Sequence, residues 1–150
     1  HLWILSGLYG CVRPFHAVEP YRLEMGAKLA VDDARDLYAF WSDKLARAIA
    51  PAGSNTTIVN LASVEYAKAV LPHLAGDATA VTCLFGEGIR NGKPIQRSTA
   101  SKKARGSMAR WMAENKLEDA SELTAFNIGY RHIPELSDKN TLVFMNAQAQ

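Results

Sequence analysis

Three short runs of apolar and β-branched residues constrain the fold of this chain most strongly. They cover Thr56–Leu61, Ala80–Phe85 and Thr141–Met145, and runs of this length and composition predict strands buried in a sheet. Segments with helical periodicity lie between them, and the longest extends over residues 98–116. This order of elements predicts an α+β fold, a mixed sheet with helices packed on it, in one domain that covers residues 1–150.

The composition is that of an ordinary globular protein. Of the 150 residues, 48% are hydrophobic and 21% are charged, which excludes disordered and fibrous proteins. No apolar run approaches the roughly 20 residues that a membrane-spanning helix needs. The two cysteines, Cys11 and Cys83, do not make a disulfide framework, so we expect a cytoplasmic location. An apolar run directly follows His1, so we expect the C-terminal part of a longer chain, with the preceding segment as its partner.

Weaker local signals predict further elements. Tyr21–Met25 alternates enough for a short strand, and residues 37–49 carry an apolar face that predicts one helix after Asp36. The Asn91-Gly92 pair predicts a hairpin turn, with a return strand over Lys93–Ser98. Gly129–Ile133 predicts a strand near the end of the chain.

Charge is distributed unevenly along the chain. Residues 88–113, which we call the basic segment, contain no acidic residue and seven basic ones: Arg90, Lys93, Arg97, Lys102, Lys103, Arg105 and Arg110. The rest of the chain carries ten basic and fifteen acidic residues, a formal net charge of −5. An asymmetry of this kind attracts polyanions, although a solvated basic helix face would give the same pattern.

The predicted helix at residues 98–116 contains a glycine in its interior. Lys102 and Arg105 are three residues apart and Gly106 is four residues after Lys102. At these spacings the three residues are neighbours on the helix surface. Glycine costs about 1 kcal/mol relative to alanine at such a position. We therefore expect close approach of another backbone or of a ligand at Gly106, the alternative being a loose, solvated start of the helix.

Polar residues inside apolar stretches suggest a second set of candidate site residues. Arg22 and Glu24 share one face of the predicted strand, either as a surface ion pair or facing a cleft that binds phosphate or carboxylate. Asn60 ends a predicted buried strand and Ser63 opens the following helix. A strand end followed by a helix N-terminus forms an anion site in many α/β proteins, although ordinary capping gives the same pattern.

Several known motifs are absent. Glu87 stands where a phosphate loop needs its first glycine, and Pro94 follows Lys93 where that loop needs Ser or Thr. The cysteines form no CxxC pair and the four histidines have no metal-ligand spacing. We therefore predict no metal site and no cofactor, and iron binding by His16 with Glu19 or Glu24 has no support from spacing.

Several of these residues belong to motifs whose order along the chain resembles that of the YaaA family of bacterial peroxide-stress proteins. The matching motifs, from about Leu5 to Phe144, are Ser6-Gly-Leu-Tyr-Gly10, Arg13-Pro14, Tyr21-Arg-Leu-Glu-Met-Gly26, Leu37-Tyr38, Phe40-Trp41, Asn60-Leu-Ala-Ser63, Glu65-Tyr66, Lys68, Lys102-Lys-Ala-Arg-Gly106, Met108, Arg110, Phe126, Gly129-Tyr130 and Leu142-Val143-Phe144. Two positions depart from the family pattern: His16 replaces an aspartate, and Thr99-Ala100 replaces an aromatic pair.

The resemblance implies a cytoplasmic protein that limits oxidative, iron-dependent damage under hydrogen peroxide. It also implies a mixed α/β fold with a basic cleft, DNA binding, and an additional N-terminal portion with a Ser-Pro-Ala-Lys motif. No settled reaction comes with the family. If the missing aromatic pair stacks on bases in the family, that contribution is lost here. If the pair is only part of the core, its loss leaves a looser start of the helix.

Two functions from different classes follow. In the first, the chain binds DNA, and the candidate DNA- and anion-binding residues are Arg13, Arg22, Asn60, Ser63, Lys68, Lys102, Lys103, Arg105 and Arg110, with Lys93 and Arg97 extending the track. In the second, the chain is an enzyme acting on a phosphorylated or nucleotide-like small molecule. Arg13, Arg22 and Lys102 would then hold the anion. Asn60 and Ser63 would orient it, and Glu24 or Glu65 would act as acid or base.

Overall fold

The computed structural model describes residues 1–148, which divide into two compact units. The first unit comprises His1–Ile58 and Ala62–Thr79, and the second comprises Val59–Leu61 and the chain from Ala80 onward. The prediction of one domain with a basic cleft stays a prediction. The mixed sheet with helices packed on it confirms the predicted α+β fold class.

The first unit begins with an antiparallel pair of strands, β1 (Ile4–Ser6) and β2 (Gly10–Val12). Helices α1 (Leu37–Trp41), α2 (Lys44–Ile49) and α3 (Val64–Ala67) and a 3-10 turn at Leu71–His73 follow. Their apolar faces surround a core whose buried residues are Met25, Leu37, Leu45, Ala46, Ala69 and Val70.

The prediction of one helix after Asp36 is wrong in its length. The Asp36 side chain accepts a hydrogen bond from the Ala39 N–H and caps α1, as its position indicated. Ser42 then adopts a positive φ of 46°, and its N–H bonds to the Tyr38 carbonyl. That conformation cannot continue a right-handed helix, so α2 starts anew at Lys44.

The second unit contains most of a four-stranded sheet with the order β3-β4-β8-β7. These strands are β3 (Thr57–Asn60), β4 (Thr79–Gly86), β7 (Tyr130–His132) and β8 (Thr141–Asn146). Strand β8 runs parallel to β4, with Phe85 opposite Phe144, and antiparallel to β7, with His132 opposite Phe144. The predicted strands at 56–61, 80–85, 129–133 and 141–145 are therefore confirmed, within one or two residues at each end.

The basic segment folds as a hairpin followed by the longest helix. Strands β5 (Ile89–Arg90) and β6 (Lys93–Pro94) are antiparallel. Asn91 and Gly92 both have positive φ, 52° and 71°, which confirms the predicted turn. The return strand is shorter than predicted. Backbone hydrogen bonds of Ile95 with Gly88 and Glu87 continue the pairing one residue beyond Pro94, and helix α4 (Ser98–Glu114) begins four residues after Pro94.

Helix α4 packs one face on the sheet. Its buried residues Ser101, Ala104 and Met108 belong to that face, and Met108 is fully buried. The core of the second unit consists of Cys83, Phe85, Ala104, Met108, Leu123, Phe126 and Phe144. Phe85 and Phe144 are stacked with ring centroids 5.4 Å apart, so the aromatic rings join strands β4 and β8 on the helix side. Short 3-10 segments at Ala120–Ala125 and Pro134–Leu136 complete the unit.

Candidate functional site

In the first unit, the candidate arginines lie on an exposed loop. Residues 13–22 are all exposed, and the Arg13 guanidinium lies 3.7 Å from the centroid of the Trp3 ring. Tyr21–Met25 pairs with no strand among the described residues, and a turn follows at Met25 and Gly26. The prediction that Arg22 and Glu24 share a strand face is therefore wrong. Neither residue belongs to an ion pair of residues 1–148.

Glu65 holds the backbone of that loop. Its carboxylate Oε1 accepts a hydrogen bond of 2.7 Å from the Gly26 N–H, and its carbonyl accepts one of 3.1 Å from the Tyr38 hydroxyl. Burial raises the pKa of the Tyr38 phenol, and the charge of Glu65 raises it further. Because its carboxylate is engaged by backbone, Glu65 has a clear structural role, and its role as acid or base, like that of Glu24, stays a prediction.

Lys68 and Ser63 lie close to Glu65 in sequence. The Lys68 ammonium lies 4.9 Å from the centroid of the Tyr38 ring, within cation–π range. Ser63 occupies the N-cap position of α3, but its side chain makes no capping hydrogen bond. The ordinary capping alternative therefore does not account for the Ser63 hydroxyl.

A buried hydroxyl from the first family motif, Ser6-Gly-Leu-Tyr-Gly10, anchors the exposed loop. Ser6 is buried, its Oγ lies 2.6 Å from the Tyr21 hydroxyl, and it accepts a hydrogen bond of 2.9 Å from the Tyr9 N–H. The next residue is Gly7, and a larger residue would not fit there because its Cβ would lie 2.7 Å from the Leu23 carbonyl oxygen. The available signal was a polar residue and a glycine directly after the apolar run at the start of the chain.

In the second unit, the basic residues of the hairpin and of α4 differ in exposure. Arg90 and Lys93 face each other across the hairpin, and both are exposed. Lys102 and Lys103 are exposed in the first turns of α4. Arg110 is exposed too, but its Nε donates a hydrogen bond of 2.7 Å to Glu114, which raises the pKa of the guanidinium. The lysines are therefore the least engaged cations of the candidate set on this helix.

Arg105 lies in a different environment. Its side chain is half-buried, and burial lowers the pKa of its guanidinium. Nη2 donates a long hydrogen bond of 3.5 Å to Gln96 Oε1, and Nε is buried with no acceptor among residues 1–148. The predicted proximity of Lys102 and Arg105 along the helix holds, but only Lys102 is exposed.

Gly106 is exposed on the opposite side of α4 from the core. A Cβ built on it would meet no atom of the described chain within 4 Å. The expected close approach of another backbone is therefore wrong within residues 1–148. The glycine leaves open space on the helix face between Lys102, Lys103 and Arg110.

Asn60 and Glu87 are both tied to the sheet. Asn60 is buried at the end of β3 and donates a hydrogen bond of 3.2 Å to Thr82 Oγ1. Glu87 accepts hydrogen bonds from the Tyr130 hydroxyl at 2.5 Å and from the Asn146 amide at 2.8 Å. These bonds lower the pKa of Glu87, while burial and then Glu87 raise the pKa of Tyr130 to about 12. From the sequence, Glu87 was notable only because it stands where a phosphate loop needs its first glycine, and its role in this network was missed.

An open cavity of about 660 Å³ lies beside this network in the second unit. Its lining includes Ile89, Arg131, His132, Glu135 and Met145. The candidate site residues predicted from sequence lie outside its lining.

Two kinds of feature are absent from the part of the chain that the structure describes. Among residues 1–148, no helix has both the length and the apolar character needed to cross a bilayer. Within that same part of the chain, His, Cys, Asp and Glu side chains form no group of three that could hold a metal ion.

Comparison with known proteins gives consistent matches. The family model described as peroxide stress protein YaaA matches residues 1–136. The UPF0246 protein DSY0297 of Desulfitobacterium hafniense is 46% identical over 151 residues, which cover 100% of this chain and 59% of that protein. A UPF0246 protein of Pediococcus pentosaceus is 45% identical over 146 residues, covering 97% and 57%. One from Lachnoclostridium phytofermentans is 41% identical over 151 residues, covering 99% and 58%.

The chain thus spans less than three fifths of the length of these curated relatives. The family match nevertheless covers both compact units, including the exposed loop, the basic segment and helix α4. The chain belongs to the YaaA family of peroxide stress proteins.

Proposed function

We propose that this protein acts in the cytoplasmic response to hydrogen peroxide by binding DNA through the basic segment, and so limits iron-dependent oxidative damage. The family supports the peroxide-stress role. The DNA-binding part depends on the charge and exposure of residues in the second unit.

The observation that carries the proposal is the exposed face of α4. Lys102 and Lys103 lie one turn before the open position at Gly106, on a stretch of 26 residues without an acidic side chain. Because Gly106 has no side chain, a polyanion that binds the neighbouring ammonium groups can approach the helix closely. Arg90 and Lys93 add two exposed cations on the hairpin. Contacts of this kind are to phosphates, so the binding is expected to depend steeply on salt and little on sequence.

The test is fluorescence anisotropy of a labelled DNA duplex and of a labelled single strand, measured over a series of salt concentrations. We expect log Kd to change linearly with log salt. In the double variant Lys102→Gln/Lys103→Gln the slope should fall by up to about two units, since each phosphate contact contributes roughly one.

The control is the double variant Lys28→Gln/Lys139→Gln, which removes the same charge from exposed positions outside the basic segment. Its slope should stay at the wild-type value. Absence of binding at low salt by folded wild-type protein would overturn the proposal, and equal slopes for both double variants would remove Lys102 and Lys103 from the interface.

A further inference from the structure

Arg105 differs from the other cations of α4 in what surrounds its guanidinium. Arg110 donates from Nε to Glu114 at 2.7 Å. The Nε of Arg105 is buried and has no acceptor in residues 1–148, and its Nη2 reaches Gln96 Oε1 only at 3.5 Å. The two arginines lie on the same helix, so the difference comes from their positions around it and not from residue type.

No counter-charge from the described chain compensates this guanidinium. The ion pairs of residues 1–148 do not include Arg105, and the surrounding basic segment has no acidic residue. An arginine stays charged at neutral pH, and its partial removal from water is unfavourable unless acceptors replace the lost hydration. A half-buried cation that retains this penalty is a functional-site candidate, because an external anion supplies the missing acceptors.

Three features make a phosphoryl group the fitting anion. The guanidinium presents a planar fork of donors that matches two oxygens of a phosphate. Lys102 lies three residues earlier on the same helix and is exposed, so it adds a second positive charge beside the fork. Gln96 is exposed at the near side of Arg105 and provides an amide that donates as well as accepts hydrogen bonds.

We propose that Arg105 binds one phosphoryl group through its guanidinium fork, with Lys102 and Gln96 beside it, and that this is the discrete phosphate site of the basic segment. The proposal rests on the proposed DNA binding in one respect only, the identity of the molecule that carries the phosphoryl group. Recognition of a phosphoryl group by Arg105 does not depend on it. A phosphate of the DNA backbone and a free phosphate compound present the same oxygens, and the test distinguishes the two.

The first measurement uses wild-type protein labelled with ¹⁵N. The Nε–Hε cross-peak of Arg105, assigned by triple-resonance spectra, reports directly on the group that lacks an acceptor. We expect this cross-peak to shift and saturate on titration with inorganic pyrophosphate, with a DNA duplex, or with both, while that of Arg131 stays in place. Arg131 is an exposed arginine of the second unit outside the basic segment.

The second measurement uses Arg105→Lys, which keeps the charge and removes the fork. We expect DNA affinity to fall at least ten-fold with little change in salt slope, whereas Arg131→Lys keeps wild-type affinity. Thermal unfolding shows whether Arg105→Lys is folded, and the wild-type spectra decide the question if it is not.

The outcomes separate the two proposals. A cross-peak that moves with pyrophosphate in a protein that binds no DNA supports the Arg105 site and assigns it to a free phosphate compound, while the DNA proposal fails. Movement with DNA alone supports the site and assigns it to backbone phosphate. An Arg105 cross-peak that moves with neither ligand overturns the inference, even if the lysine variants show that the protein binds DNA.

Discussion

Arg105 and Arg110 are five residues apart on one helix, yet one lacks an acceptor at Nε and the other donates to Glu114. Glu65 and Glu24 differ in the same way, since Glu65 accepts a hydrogen bond from the Gly26 backbone and Glu24 is exposed. At the residue scale, solvation and partners decide what a side chain can do, because they determine whether its charge or hydrogen-bonding groups remain available to a ligand. The thiol of Cys83 shows how burial limits the reaction of a side chain with peroxide.

Cys83 is predicted to be inert to peroxide in the folded protein. It is only 2% exposed, and burial raises the pKa of its thiol to about 12, whereas the thiolate is the form that reacts. At pH 7.5 we expect iodoacetamide or hydrogen peroxide to modify Cys83 at least ten-fold more slowly in native protein than in protein unfolded by guanidinium. Peptide mass spectrometry measures both rates. Sulfinic or sulfonic acid at Cys83 of native protein at the unfolded rate would contradict this prediction.

At the element scale, helix α4 combines two faces with different roles. Ser101, Ala104 and Met108 are buried against the sheet, while Lys102 and Lys103 are exposed. The Ser101 hydroxyl lies 3.4 Å from the Phe85 carbonyl oxygen, to which it donates, so even a polar residue of the inner face has a partner. The outer face, with Lys102, Lys103 and Gly106, does not pack against the sheet. Gly106 has the lowest helix propensity of the residues on that face.

Substitution at Gly106 should separate stability from DNA binding. A Cβ there meets no described atom within 4 Å, so Gly106→Ala should stabilise the protein by about 0.5–1 kcal/mol, the usual gain in a helix interior. Gly106→Met should keep that stability, since methionine is a good helix former, but weaken DNA binding several-fold by filling the open space. Urea unfolding and anisotropy measure the two effects on the same samples. A loss of stability in Gly106→Ala would show that the position is packed.

At the scale of the whole molecule, a formal net charge of +2 conceals a basic segment of +7 within a remainder of −5. Such a distribution orients a polyanion toward one part of the surface, while the acidic remainder opposes binding elsewhere. Stability depends on different charges from those that bind. In the second unit, Glu87 accepts hydrogen bonds from Tyr130 and Asn146 and so joins the start of the hairpin to β7 and β8.

Glu87 and Tyr130 should therefore shape both limbs of the stability profile. The pKa of Glu87 is lowered in the folded protein, so its contribution is present above its unfolded pKa and is lost as pH falls through the folded value. The pKa of Tyr130 is raised from 10.0 to about 12, so its contribution is complete below pH 10 and is lost as pH rises toward 12.

The check is urea unfolding of wild type, Glu87→Gln and Tyr130→Phe across pH. Glu87→Gln should flatten the acid limb, and Tyr130→Phe should flatten the alkaline limb. Glu135→Gln, at an exposed carboxylate of the same unit, serves as the charge-matched control and should follow wild type. Curves for all four proteins that differ only by a constant offset would rule out the linkage.

Local patterns in the sequence were sufficient for the strands β3, β4, β7 and β8, the Asn91-Gly92 hairpin, helix α4 and the α+β class, and motif order was sufficient for the family. These features depend on periodicity, turn conformation and residue type within a few positions, which the chain displays directly. The predicted strand at Tyr21–Met25 failed because a strand exists only with a neighbour to pair with, and the described structure provides none there.

Tertiary structure alone decided which polar groups have partners. Gly26 meets Glu65 from 39 positions away, and Glu87 meets Asn146 from 59 positions away. It also decided that Arg105 is half-buried without an acceptor while Lys102, three residues before it, is exposed. The physical reason is that burial and hydrogen-bonding are properties of neighbours in space. The amino-acid sequence determined where positive charge is concentrated in this protein, and the folded chain determined which of those charges are compensated internally.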